Sequence, residues 1–194
     1  MRITLVQALF FNLGLGMSLG TLLPRTETDI GPFKNPHLTP FLQIDLAVGR
    51  ETNVTGPDTR WGAAPNVQGG KVSGAFEADI LPIGTSYERY VKNEQGENSF
   101  YNNRYILQTA NKQTISLEVD VIVNYRNNAH YSFGFAKFVT DIPHLLYLNY
   151  NIYLLEVTGD FETGKAASQI FALQSGGRRD GEPIKALLPA GGDD

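Results

Sequence analysis

Aromatic side chains, many of them tyrosines that carry a hydroxyl group, are concentrated in segments of this chain that alternate apolar and polar residues. Together they could line a cavity that is apolar in bulk and offers hydrogen bonds at a few points, which suits an organic ligand. The alternative is that they fill the interior of a small barrel. The residues concerned are Trp61, Tyr87, Tyr90, Phe100, Tyr101, Tyr105, Tyr131, Phe133, Phe135, Tyr147, Tyr150 and Tyr153.

Two arginines on neighbouring predicted strands add charge to these segments. Alternation places Arg89 on the same strand face as Tyr87, and Arg104 on the face opposite Tyr105. A buried arginine has to be paired, so an inward Arg89 would clamp a ligand or form a structural ion pair. The acidic residues of the next strand alternate with aliphatic residues, and we expect them on a solvated outer face.

Several kinds of catalytic centre find no support in the sequence. The chain has no cysteine, which excludes thiolate nucleophiles, disulfides and cysteine-ligated metals. His37, His130 and His144 are scattered without the spacing of a metal site. The segment Gly16-Met-Ser-Leu-Gly20 has the spelling of a nucleophile elbow but lies in the N-terminal apolar run. We therefore expect neither a metal nor a cofactor.

The elements that would position these side chains are β-strands. Residues 113–125 alternate aliphatic and polar residues without a break, and 41–48 and 72–80 follow the same period of two. Further strands are predicted at about 86–91, 99–109, 130–139, 150–158 and 166–174, with Trp61 on a long preceding loop. The sequence predicts an all-β, single-domain antiparallel barrel of the calycin or lipocalin type over 41–174, with a two-sheet sandwich as the alternative.

The two ends of the chain differ in composition from this core. Residues 1–20 have the layout of a secretory signal peptide, although an apolar N-terminal helix packed on the domain would fit the same letters. Residues 21–40 are proline-rich and predict an extended lead-in, and 175–194 predict a flexible tail. With the sequon at Asn53, a glycosylation site, the signal favours the eukaryotic secretory pathway or secretion.

Charge and hydropathy bear on the partners of the chain. The formal net charge is −4 and lysine and arginine form no cluster, which argues against a nucleic-acid surface. Beyond the N-terminal segment no stretch is long and apolar enough to span a bilayer, so no stable membrane insertion is expected after signal removal. The expected partner is a small apolar or aromatic organic molecule, and a homodimer stays open.

Short motifs from Gly69 onward resemble those of a widespread bacterial and fungal family of small β-barrel proteins known as a domain of unknown function. A paired glycine opens a strand in Gly69-Gly70-Lys-Val-Ser-Gly74, and Leu81-Pro-Ile-Gly-Thr-Ser-Tyr87 matches the family's Leu-Pro-x-Gly and the signature after it. Arg104-Tyr105, Thr109 and Leu148-Asn149 follow in the family's order. Where the family has an aspartate and a tryptophan, this chain has Ser86 and Tyr87, so acid–base chemistry at that position is in doubt.

Fungal members of this family with signal peptides resemble accessory proteins of secondary metabolism, among them cofactor-free cyclases. The resemblance implies a cyclase of the pericyclase type, which joins two apolar partners by hetero-Diels–Alder addition, for example a tropolone quinone methide and a humulene-type sesquiterpenoid. Such a reaction needs near-attack geometry and a few hydrogen-bond donors. On that reading Tyr87, Tyr105 and Asn149 are the catalytic donors. The substrate-binding residues are Trp61, Phe76, Arg89, Tyr101, Arg104, Tyr131, Phe133 and Phe135.

Two other functions fit the same residues. A lipocalin-like carrier would use the pocket without chemistry. A hydrolase or lactonase would use Glu88 or His130 as a base, and its rate would follow a bell-shaped pH profile.

Overall fold

The computed structural model describes residues 31–47, 49–94, 96–126, 129–160, 163 and 165–184. The chain from Phe33 onward forms one compact unit. The predicted signal peptide, the first half of the lead-in and the last ten residues of the predicted tail lie outside the described residues. In the part that is described, no helix is long and apolar enough to cross a membrane.

Eleven strands and one short 3₁₀ helix make up the described chain. They are β1 (His37–Ala47), β2 (Thr52–Thr55), β3 (Thr59–Pro65), β4 (Gly70–Gly74), β5 (Ala78–Ile80), β6 (Thr85–Asn93), β7 (Gly96–Gln108), β8 (Thr114–Arg126), β9 (Ala129–Val139), η1 (Pro143–Asn149), β10 (Tyr153–Asp160) and β11 (Lys165–Gln174).

Eight of these strands close into an antiparallel barrel, which confirms the predicted fold class and rules against the sandwich. Around the ring the order is β7, β5, β4, β1, β11, β10, β9 and β8, and β8 pairs again with β7. The closing pair is long, running from Asn98 opposite Asn124 to Gln108 opposite Thr114. Closure gives these apolar strands partners on both sides, which removes the free edges of an open sheet.

The remaining strands form an extension of the barrel wall. The first part of β7 pairs with β6, β6 pairs with β3, and β3 pairs with β2. The last part of β7 pairs instead with β5, so β5 and β6 follow one edge of β7 in succession. Residues 81–84, which contain Pro82 and Gly84, separate them. Gly84 has φ of +97°, which a residue with a Cβ rarely adopts, and this explains the glycine in the turn.

The barrel interior is divided into two halves. Its lower half, at the end that carries the β4–β5 and β7–β8 turns, is a packed hydrophobic core that η1 closes with the buried Leu145 and Leu148. Asn149 fixes this plug, since its side chain accepts a hydrogen bond from the Thr140 N–H and donates one to the Thr140 carbonyl, both at 2.8 Å. The upper half, at the end with the β8–β9 and β10–β11 turns, continues the apolar core through Val121 and Val123 of β8 and also contains buried polar side chains, among them Ser86, Glu88 and Ser99.

Several predicted boundaries were wrong. Residues 72–80 form a hairpin, not one strand, because Gly74 (φ +124°) ends β4 and residues 75–77 turn the chain. The predicted loop around Trp61 contains β2 and β3. The first strand begins at His37 rather than 41, and a register shift between Pro40 and Leu42 accommodates the proline. A bridge between Phe33 and Arg178 pairs part of the predicted lead-in with the start of the predicted tail.

Candidate functional site in the upper half of the barrel

The inner face of the upper half is set by strand alternation. Ile80 is buried at the end of β5, and the residues of the same parity beyond it, Ser86 and Glu88 on β6, are also buried. On β7 the buried Ser99 lies on the same face as Tyr105. Because antiparallel strands keep one face along a row, these hydroxyl and carboxyl groups converge on the barrel interior.

Glu88 is the centre of this cluster and is only 3% exposed. Its carboxylate accepts hydrogen bonds from the Ser99 hydroxyl, from the Tyr101 hydroxyl at 2.9 Å and from the Arg60 guanidinium at 2.9 Å. Burial alone would raise the pKa of Glu88, but the hydrogen bonds from Ser99, Glu51, Tyr101 and Arg60 outweigh it and hold the pKa below its ordinary value. Glu88 is therefore an ionised, buried carboxylate at neutral pH.

A second carboxyl group, that of Glu51, stands beside it. Glu51 follows β1, and its side chain lies over Gly62, which is the residue opposite Glu88 in the β3–β6 pair. A Cβ at position 62 would overlap the Glu51 carboxyl, so the glycine makes the room that this carboxyl occupies. Burial, then the hydrogen bond and the negative charge of Glu88, raise the pKa of Glu51, and Arg60 and Asn53 offset this only in part.

Tyrosines extend the network toward the β8–β9 turn. The Tyr125 hydroxyl donates to the Ser99 hydroxyl at 3.1 Å, and Ser99 donates onward to Glu88. The Tyr101 and Tyr125 hydroxyls lie 3.4 Å apart. Burial and the neighbouring Tyr125 raise the pKa of Tyr101 far above its ordinary value, so it stays a neutral donor. The Arg60 guanidinium also lies over the Tyr90 ring, 5.0 Å from its centre.

Small side chains occupy the opposite side of the ring. β11 is four strands from β7 by either path around the barrel, and the upper inner positions of β9, β10 and β11 are Ser132, Gly134, Val157 and Ser168. β9 and β10 pair only from Phe133 to Ala136, and the strands diverge above that. A cavity of about 530 Å³ lies at this divergence, and it is open to solvent. Its lining residues are Gln43, Ser132, Phe133, Glu156, Val157, Thr158, Ala167, Ser168 and Gln169. Of these, Ser132, Val157 and Ser168 face the barrel interior, and the other six lie on the outer face of the sheet, so the cavity opens outward through the wall.

The structure brings two of the residues predicted from sequence into this interior. Tyr101 belongs to the Glu88 cluster. Tyr105 is 4% exposed, lies between the cluster and the lower core, and its hydroxyl is 3.0 Å from the Ser86 hydroxyl. Burial raises the pKa of Tyr105 to about 12. Ser86 and Tyr105 therefore form a neutral hydrogen-bonded pair at the floor of the upper half.

Other predicted site residues lie on the outer face of the sheet, away from this interior. Tyr87 is 52% exposed, and Phe135 and Arg104 are also exposed, with Arg104 pairing to Glu118 at 3.4 Å. Five successive strand pairs align an outer row of mostly apolar residues. The Arg89 guanidinium in this row lies over the Phe100 ring at 4.6 Å and the Trp61 ring at 6.0 Å. The row consists of Val54, Trp61, Arg89, Phe100, Ile122 and Phe133.

The remaining predicted residues lie elsewhere. Asn149 holds the η1 plug at the lower end, and Phe76 packs edge-on against Phe138, 6.5 Å between ring centres. Tyr131 belongs to β9, but its side chain is outside the described part. Asn53 is exposed on the edge strand β2, with its amide oxygen next to Gly62. Thus, among the proposed site residues whose side chains are described, only Tyr101 and Tyr105 share the upper interior with Glu88.

Sequence reasoning missed Glu51, Arg60, Ser99 and Tyr125 as members of a site. One signal was present: continuing the parity of Ile80 through Pro82 and Gly84 predicts Ser86 and Glu88, rather than Tyr87, inside. In the part of the chain that is described, no group of three or more His, Cys, Asp or Glu side chains could hold a metal ion.

No family model matches the chain, and no curated protein matches it in sequence. Solved structures do match its fold. A protein of unknown function from Clostridium acetobutylicum is 18% identical, with a TM-score of 0.62 over 72% of this chain and 100% of that one. A β-barrel-like protein from Acinetobacter baumannii is 15% identical, with a TM-score of 0.64 over 75% of this chain and 99% of that one.

A third match is described as an enzyme from Penicillium herquei. It is 15% identical, with a TM-score of 0.52 over 73% of this chain and 96% of that one. At these identities the likeness is one of fold. The chain thus has the fold of small β-barrel proteins of unknown function, and one protein similar to it in fold is an enzyme.

Proposed function

We propose that this protein is a cofactor-free cyclase that binds an apolar, oxygen-bearing small molecule in the upper half of the barrel and closes a ring by hetero-Diels–Alder addition. The observation that carries the proposal is the buried hydrogen-bonding cluster around Glu88 on one side of the ring, opposite a wall of small side chains on the other. A catalyst of this kind needs a shaped cavity and hydrogen-bond donors at the reacting oxygen, and the upper interior and the hydroxyl groups around Glu88 are the features that support the proposal.

The cluster suits a neutral organic substrate better than a charged one. Arg60 is committed to Glu88, so the cationic charge of the site is balanced within the protein. Tyr101 and Tyr125 each combine an apolar ring, which can stack on a substrate, with a hydroxyl whose proton is given to Glu88 or Ser99, and a substrate oxygen would have to take the place of one of these acceptors. Two partners of this type are a quinone methide, which supplies the heterodiene, and an alkene.

The comparison with the Penicillium herquei protein favours an enzyme over a carrier, because that protein is described as an enzyme. From the sequence we propose that the protein acts in fungal secondary metabolism and is itself secreted and glycosylated. Asn53 is exposed on an edge strand, where a glycan could be added. A glycan there would lie close to Glu51, since the Asn53 amide and the Glu51 carboxyl both adjoin Gly62.

A cavity-filling variant tests the location and the reaction together. Purified protein is mixed with a tropolone quinone methide formed in situ and a humulene-type alkene, and the products are separated by chiral chromatography with mass detection. One enantiomer is expected in excess over the spontaneous mixture. Ser168→Phe, which fills the cavity, should remove that excess, whereas Ser116→Phe on the outer face of β8 should retain it.

An unchanged racemic mixture with the wild-type protein would contradict cyclisation of this substrate pair. If Ser168→Phe retains the enantiomeric excess, the reaction does not take place in the upper cavity. The opening between β9 and β10 would also serve a carrier, and the same materials separate the two functions. A carrier binds substrate and product without changing the product distribution.

A further inference from the structure

We propose that the mouth of the upper cavity, on the outer face of β9, β10, β11 and β1, binds a hydroxyl-rich ligand group of the sugar type. The inference goes beyond the proposed function, which concerns an apolar substrate inside the barrel. It assigns Glu156, Gln169 and Gln43 to ligand binding, and no sequence motif indicates any of them.

Four outer-face residues that line the cavity form a continuous row at this mouth. Gln43 of β1 is opposite Gln169 of β11. Gln169 is in turn opposite Glu156 of β10, and Glu156 is opposite Phe133 of β9. Adjacent strands lie about 4.8 Å apart, so the row is about 14 Å long. It is therefore long enough to contact a sugar ring at several of its hydroxyl groups.

The Glu156 carboxylate is exposed at the mouth and available to a ligand. Among the described residues that line the cavity, Glu156 alone carries a charge. In the described part of the chain, no residue donates a hydrogen bond to this carboxylate or forms an ion pair with it. Both of its oxygens can therefore accept hydrogen bonds, and two neighbouring hydroxyl groups of one ligand can donate to them together.

Two glutamine side chains beside this carboxylate are held in place by the protein. The Gln169 amide nitrogen donates to the Leu42 carbonyl at 3.2 Å, and the Gln43 amide nitrogen donates to the Asp45 carboxylate at 3.3 Å. Each bond uses one amide N–H and leaves the second N–H and the amide oxygen without a partner among the described residues. An oriented amide that can still donate and accept suits a hydroxyl group, which does both.

The gap between β9 and β10 adds further hydrogen-bonding groups. The two strands pair only as far as Phe133 and Glu156. Beyond that point, alternate residues of each strand direct their backbone N–H and C=O groups into the gap, where the facing strand does not pair with them. The hydroxyls of Ser132, Thr158 and Ser168 line the same cavity. These groups, like the amides, include both donors and acceptors.

This mixture of donors and acceptors decides the class of ligand. An organic cation would satisfy the Glu156 carboxylate but would offer nothing to the amide N–H groups and hydroxyl protons, and an anion would be repelled by the carboxylate. The apolar C–H face of a sugar ring can also pack against the Phe133 ring, which is half exposed. A neutral, hydroxyl-rich group therefore matches the mouth better than a charged one.

Titration of isotope-labelled protein with methyl β-glucopyranoside, followed by the amide chemical shifts, tests the site without turnover. Saturable shifts are expected at lining residues of β10 and β11, among them Val157, Ser168 and Gln169. Glu156→Ala should weaken binding about tenfold, because a hydrogen bond to a charged group is lost. Glu118→Ala changes a carboxylate on the outer face of β8, two strands from β10, and should leave the affinity unchanged.

Glu156→Gln and choline, an organic cation, distinguish the ligand classes. Glu156→Gln keeps an acceptor oxygen, so its affinity for the glucoside should lie between those of the wild type and Glu156→Ala. Tighter binding of choline than of the glucoside, lost in Glu156→Gln, would overturn the hydroxyl-rich class in favour of a cation. A glucoside that gives no saturable shift, or that binds Glu156→Ala as tightly as the wild type, would overturn the site itself.

These outcomes are independent of the proposed cyclisation. If the protein leaves the spontaneous product mixture unchanged and still binds the glucoside at Glu156, the cyclase is contradicted and the sugar-type site is supported. If one enantiomer is formed in excess and the glucoside does not bind, the cyclase is supported and the sugar-type site is overturned.

Discussion

Arg60 and Glu88 lie on neighbouring strands without facing each other directly. Arg60 is opposite Tyr90 and Glu88 is opposite Gly62, so the 2.9 Å ion pair runs diagonally across β3 and β6. This diagonal leaves the place opposite Glu88 free for the Glu51 carboxyl. Arg60 thus holds the Glu88 carboxylate, and the absence of a side chain at Gly62 leaves room for the Glu51 carboxyl.

Removing Arg60 should destabilise the protein more than removing an outer-face arginine. Arg60→Ala leaves the Glu88 carboxylate buried without its cation, and we expect a loss of about 1–3 kcal/mol in the free energy of unfolding, since Arg60 itself is partly exposed. Arg104→Ala breaks an exposed 3.4 Å pair with Glu118 and should cost less than about 1 kcal/mol. Urea unfolding of both variants measures the difference, and equal losses would contradict the buried role of the pair.

Loss of the buried Tyr105 hydroxyl should destabilise the protein more than loss of the exposed Tyr87 hydroxyl. Tyr105→Phe leaves the buried Ser86 hydroxyl without its partner, and we expect a loss of about 1 kcal/mol or more in unfolding free energy. Tyr87→Phe changes an exposed hydroxyl on the outer face and should alter neither stability nor product selectivity. Chemical denaturation and product analysis of the two variants provide the comparison. A loss of selectivity in Tyr87→Phe alone would restore Tyr87 as a catalytic donor.

Asn149 is expected to act on stability through the η1 plug. Asn149→Ala removes both hydrogen bonds to the Thr140 backbone, and we expect a loss of about 2–4 kcal/mol, because two groups lose their partners. Asn149→Asp keeps the acceptor for the Thr140 N–H and should lose less. Thermal unfolding measures both. Unchanged stability together with lost turnover would instead assign Asn149 to the reaction.

The two carboxyl groups predict opposite pH dependences of stability. The pKa of Glu88 is lowered on folding, so its stabilising contribution is present above the unfolded value of about 4.5 and is lost as pH falls through the folded pKa. The pKa of Glu51 is raised, so its contribution is complete below about 4.5 and is lost as pH rises through the folded pKa. In the wild type the unfolding free energy should therefore fall as pH rises above about 4.5 because of Glu51, and this fall should be absent in Glu51→Gln. If the unfolding free energy of that variant still falls over this pH range, another titrating group is responsible.

The barrel itself was predictable because strands such as β8 obey a simple physical pattern. The residues from Ile115 to Tyr125 alternate without a break, since one face packs into a dry core and the other meets solvent. The turn at Gly74 was missed because the alternation of apolar residues continues through it, although the chain reverses there. The alternation of apolar and polar residues does not reveal where the backbone adopts a positive φ, as it does at Gly74.

The site was harder to predict for a related reason. The inner positions of β3 are Arg60, Gly62 and Ala64, a charged residue and two small ones, so the strand lacks the apolar face by which strands are recognised. Glu51 lies between strands and has no pattern at all. Arg60 and Glu51 thus depart from core-like periodicity, and the proximity of Arg60 to Glu88 depends on a diagonal contact between strands far apart in sequence.

The division of the barrel interior also bears on how such proteins change over time. The lower half, with its plug, supplies folding free energy and leaves little freedom to substitute, since a lost methylene there opens a void. A change at Ser132, Val157 or Ser168 in the upper half reshapes the cavity while the plug stays intact. The residues of the upper half can therefore vary without loss of the scaffold, which accords with a shared architecture at identities as low as 15%.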